Sequence, residues 1–116
     1  MANRRGRGTG RPPPRGARER AALAQYEQAI RSAFGEVRTA LIVQARARES
    51  YDAESVRAAA LNESLRLARL RYQNGVASQL DVIDAERGLL QAQIARIEAL
   101  RAHRAAVADL FRALGG

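Results

Sequence analysis

The chain has 116 residues, room for one domain at most, and 47% of them are apolar, chiefly Ala, Leu, Val and Ile with two Phe and no Trp. Cysteine is absent and His103 is the only histidine, which excludes disulfides, thiolate metal sites and cysteine nucleophiles. The formal charge of +8 would suit a nucleic-acid partner if it were spread over the fold, but Met1 to Arg20 carry seven Arg against Glu19, leaving only +2 for the rest of the chain.

Residues 1–20 (MANRRGRGTGRPPPRGARER) are mostly Gly, Pro and Arg. With so little apolar surface to bury, this head is expected to be disordered. It lacks the aromatic side chains that stack on bases and precedes a nearly neutral body, so it reads as a spurious start in preference to a nucleic-acid tail. Every basic residue in the chain is Arg and none is Lys, which points to a genome-composition bias. No apolar run reaches the roughly 18–20 residues of a membrane-spanning helix, and none resembles the apolar stretch of a secretory signal. The chain as written is therefore expected to carry no export signal.

At Ala21 the composition changes to Ala, Leu, Glu, Gln and Arg, all good helix formers, and no Pro follows. A helix is expected from about 21 to 74. Leu23, Tyr26, Ile30, Ala33, Val37 and Ala40 fall at the three-then-four spacing of a coiled-coil seam. The register continues through Ala47, Tyr51, Ala58, Leu61, Leu65, Ala68 and Tyr72, interrupted by Gln44 and Glu54. Phe34, Leu41, Ile42, Leu67 and Leu70 lie off this stripe, so the helix is expected to pack on two sides. A helix of this span would be about 80 Å long and would need partners along it.

Gly75 can take the left-handed conformation that closes a helix, which places a turn at residues 75–78. Ser78 then reads as an N-cap with Asp81 at N3, a variant of the capping box, and Asp81, Asp84 and Glu86 suit the positive helix start. A second helix is expected from about 79 to 114. The apolar positions Leu80, Ile83, Leu90, Ile94, Ile97, Leu100, Val107, Leu110 and Leu114 suit a packed helix, with Gly115 and Gly116 ending it. A short turn makes the two helices antiparallel neighbours, so the fold class is all-α, a long coiled-coil-like helical hairpin.

The stretch from Arg71 to Ala85, RYQNGVASQLDVIDA, resembles the TolC family of outer-membrane efflux proteins. In that family a long helix ends in Tyr, two variable residues and Gly, followed after two more by Ser or Thr and then by D-V-L-D-A. This chain has Ile83 in place of the Leu. Residues 65–71 (LRLARLR) and 110–116 (LFRALGG) look like the corresponding family segments, and the likeness runs from about Ala21 to the end. The resemblance implies a homotrimeric tunnel, anchored in the outer membrane by a β-barrel absent from this chain and extended through the periplasm by helices. Such a conduit exports small molecules or proteins with an inner-membrane pump and a periplasmic adaptor (membrane fusion) protein. The turn would lie at the periplasmic aperture. Asp81 and Asp84 then match the acidic pair facing the opening and Tyr72 a constriction tyrosine. Gly75, Val76, Ala77 and Ser78 match the turn and adaptor contact. Some members place an Arg two residues after the Gly, where this chain has Ala77.

Asp81 and Asp84 are three residues apart and share one helix face, so threefold symmetry would gather six carboxylates around a narrow opening. An acid-sensitive, cation-blockable aperture is the expectation. The plainer reading is that both aspartates simply favour a helix N-terminus. His103 has no second ligand at metal spacing and is expected at the surface or in the seam, while Tyr26 and Tyr51 are assigned to packing. No nucleophile with a base, phosphate-cradling Gly loop or pair of acids at a cleft is present, so neither an enzyme nor a cofactor is expected. The alternatives are a soluble, self-associating hairpin that binds nucleic acid through its Arg-rich tail, and a generic scaffold coiled coil. Without the first repeat, barrel strands or a signal, the chain is expected to be a fragment or a mis-started reading frame.

Overall fold

The computed structural model describes residue 10 and residues 12–115. These contain two α-helices, α1 (Arg15–Gln73) and α2 (Gln79–Ala113), and no strand among the described residues. Half of the head expected to be disordered, residues 1–9 and residue 11, lies outside the described residues, while Arg15 to Arg20 are helical.

Helix α1 starts ahead of the Ala21 boundary that composition suggested. Pro12 to Pro14 mark where it begins, since proline suits a helix start and lacks the N–H needed further in. The Pro14 carbonyl accepts from the Arg18 amide at 3.0 Å, and Arg, Ala and Glu propagate the turn. Its first turn holds no acidic side chain, so no carboxylate offsets the helix dipole there.

Contacts divide the chain into two units, Met1–Glu36 and Val37–Gly116. In the first unit, Leu23, Tyr26 and Phe34 are exposed and Ile30 is half-buried. Tyr26, assigned above to packing, is 65% exposed, and the described part of this unit is a single helix.

The second unit is an antiparallel hairpin. On α1 the half-buried or buried positions include Val37, Ala40, Gln44, Ala47, Tyr51, Glu54, Ala58, Leu61, Leu65 and Ala68, the stripe expected from spacing, with Ser55 and the off-stripe Leu67 half-buried beside it. Gln44 and Glu54 sit on that stripe and do not deflect it. Tyr72, at the end of the register, is exposed.

Helix α2 departs from expectation. Its seam is Val82, Ala85, Leu89, Ala92, Ala99, His103, Ala106, Leu110 and Ala113. Of the positions chosen on size, Leu100, Val107 and Leu110 are half-buried, whereas Leu80, Ile83, Leu90, Ile94, Ile97 and Leu114 are exposed. The buried residues of the hairpin are Ala58, Leu65, Ala92 and Ala106, with Ala92 at 0% exposure. Two helices alone bury only a narrow strip, and small side chains let the backbones approach along it. Burying alanine also costs no side-chain entropy. Gly88 fits the same pattern, since a Cβ there would lie 3.9 Å from Leu61 Cδ2, in ordinary contact.

Candidate functional site

The tip of the hairpin is built from two helix caps placed back to back. Helix α1 ends in a Schellman motif: Gly75 has φ +72°, its amide donates to the Tyr72 carbonyl at 3.0 Å, and the Val76 amide donates to the Arg71 carbonyl at 2.8 Å. The Asn74 amide and side chain both donate to the Leu70 carbonyl, at 3.1 and 2.9 Å, and the Ala77 amide reaches the Arg71 carbonyl at 3.3 Å. Helix α2 opens on Ser78, whose extended backbone (φ −83°, ψ 163°) leaves its hydroxyl free to accept from the Asp81 amide at 3.2 Å. The Asp81 carboxylate accepts in return from the Ser78 amide at 3.1 Å, completing a capping box. Every backbone N–H from Asn74 to Ser78 thereby has an acceptor within the tip.

The residues singled out from sequence occupy this tip as follows. Tyr72, Gly75, Val76, Ser78, Asp81 and Asp84 are exposed, Val76 to 77%, and Ala77 is half-buried. Asp81 has a local structural task in the capping box, in keeping with the plainer reading of the acidic pair. Replacing Ser78 by Ala removes the acceptor for the Asp81 amide and is expected to cost about 1 kcal/mol. A urea titration followed by far-UV circular dichroism checks this, and Ser78→Asp should keep the wild-type midpoint because aspartate caps equally well.

Sequence reading missed two polar layers that cross the seam further along. The Gln44 amide donates to His103 Nε2 at 3.3 Å, both partly buried, which fixes the seam position for His103. Closer to the tip, Arg96 donates through Nε to Ser55 Oγ at 3.1 Å and through its terminal nitrogen to Tyr51 Oη at 3.2 Å. Its guanidinium carbon lies 5.6 Å from the Tyr51 ring centroid, and Ser55 donates to the Tyr51 carbonyl at 2.9 Å. The Arg96 bond, and after it the Ser55 hydroxyl, lower the Tyr51 phenol from its ordinary value. An exposed Arg69–Glu86 pair at 3.4 Å also joins the helices.

Two grooves, one lined by Ser55, Ala58, Asn62, Leu89, Gln93 and Arg96, are open to solvent. No cluster of three or more metal-ligating side chains occurs among the described residues. No helix there is long and apolar enough to cross a membrane.

The geometry coincides with a family likeness. Residues 15–116 match the family described as outer membrane efflux protein. The chain is 41% identical to the outer membrane protein OprJ of Pseudomonas aeruginosa over 86% of its own length and 21% of the relative's. It is 34% identical to the cation efflux system protein CusC of Escherichia coli K12, over 85% of this chain and 22% of that one. With the probable efflux pump outer membrane protein TtgC of Pseudomonas putida it shares 35% identity over 81% of this chain and 19% of the relative. The chain thus spans about a fifth of the length of the curated relatives it matches. No solved structure matches it significantly.

Proposed function

The chain belongs to the outer membrane efflux protein family, and from that premise we propose that its hairpin is one stave of a trimeric helical tunnel serving an outer-membrane export conduit. The conduit works with an inner-membrane pump and a periplasmic adaptor, and the tip from Tyr72 to Ala85 lies at the periplasmic aperture. Asp81 and Asp84 face the opening, Tyr72 narrows it, and Gly75, Val76, Ala77 and Ser78 form the surface that meets the adaptor.

The observation that carries this reading is a second apolar stripe on α2 that the hairpin leaves uncovered. Leu80, Ile83, Leu90, Ile94, Ile97 and Phe111 all follow one three-and-four spacing and are all exposed, with Arg87, Arg101 and Arg104 interleaved. A free-standing hairpin would place its largest side chains inside. One that buries alanine and turns leucine and isoleucine outward suits a wall in which every helix has neighbours on both sides. The three relatives are named for the outer membrane or for efflux, and none of those names favours the nucleic-acid alternative. Cation and toluene efflux appear in the names of relatives of similar identity, so the cargo does not follow from the likeness.

Planar-bilayer conductance tests the aperture assignment, using OprJ whose matching segment is replaced by residues 15–116 of this chain. Asp81→Asn with Asp84→Asn keeps an acceptor for the Ser78 amide while removing the charges, and is expected to weaken block by divalent cations about tenfold or more. Unchanged block in a correctly assembled trimer refutes the role given to these aspartates.

A further inference from the structure

The alanines of the α2 seam recur every seven residues, at 85, 92, 99, 106 and 113, and all are buried or half-buried. A seam of this kind looks the same to its partner after a slip of one heptad. Helix α1 offers Ala40, Ala47, Ala58 and Ala68 to the same interface, alongside the larger Val37, Tyr51, Leu61 and Leu65. On α2 the positions that distinguish one register from the next are Val82, Leu89, His103 and Leu110 in the seam and the exposed Arg96 at its edge. Two of these five are polar, and they are the two that form the cross-helix hydrogen bonds at Gln44 and at Tyr51 with Ser55.

We infer that Gln44–His103 and Tyr51–Ser55–Arg96 are a register lock, holding the hairpin in one of the several pairings its alanine seam would accept. A slip of seven residues moves His103 from Gln44 to the level of Val37 or Tyr51. The same slip moves Arg96 from Tyr51 and Ser55 to Gln44 and Arg48, or to Ala58 and Asn62. In either direction the imidazole and Gln44 lose their shared bond while still partly enclosed, which is the penalty by which a lone polar seam residue specifies register. The turn sets the pairing at the tip through its own hydrogen bonds. The polar layers act toward the other end of the hairpin, among Val37, Tyr51, Val107 and Leu110.

The chain has no cysteine, so spin labels on Arg38→Cys and Glu98→Cys, both exposed positions, are unique. They report the axial offset of the helices in the 116-residue chain, with labelled chain diluted in unlabelled chain to isolate intramolecular distances. The lock predicts a single distance in this background. Adding Gln44→Ala, Arg96→Ala and His103→Ala should preserve helix content, since alanine is the best helix former, and should produce a second population shifted by up to about 10 Å, one heptad of rise. His103→Gln alone, which retains a polar partner for Gln44, should keep the single distance. A triple-alanine variant with the same single distance as the parent overturns the inference, as does a His103→Gln chain that splits like the triple variant.

Discussion

Replacing Ala92 by Leu is expected to destabilise the hairpin by about 1–3 kcal/mol, the range for inserting carbons into a packed site. Ala92 is fully excluded from solvent on the face of α2 that meets α1, and one turn before it a glycine already sits against Leu61. A leucine there either pushes the helices apart, uncovering Ala58 and Leu65, or twists into a strained rotamer. Helix propensity hardly changes between Ala and Leu, so a loss cannot come from the helix itself. The measurement is the urea midpoint by circular dichroism at constant slope, with Ala108→Leu on the exposed face as the control. Equal midpoints for the two variants would mean that the seam is not close-packed.

The second large effect concerns Gly75. Its φ of +72° lies in the left-handed region, and a Cβ added there would meet nothing within 4 Å. The cost of a side chain is therefore purely conformational, about 1–2 kcal/mol for alanine and more for a β-branched residue. Gly75→Asn should be the mildest change, Gly75→Ala intermediate and Gly75→Val the most severe. Because space is not limiting, an order that followed side-chain volume alone, with Asn as damaging as Val, would contradict the cap geometry. The same urea titration ranks the three.

What could be read from the sequence and what could not divide along physical lines. The turn was legible because its determinants are local: a glycine for the left-handed residue, then a serine and an aspartate three apart for the cap. The α1 stripe was legible because its period survives two polar interruptions. The α2 stripe was misassigned because large side chains were taken to mark the interface, whereas a pair of helices this thin accommodates alanine inside and leaves Leu80, Leu90 and Ile94 outside. Spacing alone could have corrected this, since alanine recurs at every seventh residue from 85 to 113. The contacts of His103 and Arg96 were beyond reach because their partners lie 41 to 59 residues away, and only the register of pairing brings them together. The early start of α1 was hidden by an arginine-rich composition that describes the head on average but not its last residues.

The closed circuit of hydrogen bonds between Leu70 and Asp81 has a consequence for whatever surface meets the end of the hairpin. A loop that must freeze on contact weakens its own association through the freedom it gives up. Here that freedom is already lost in the unliganded chain, and no amide from Asn74 to Ser78 is left seeking a partner. A protein that docked here would meet a preformed knob with the exposed Val76 as its apolar point, and its affinity would be governed by fit and by displaced water.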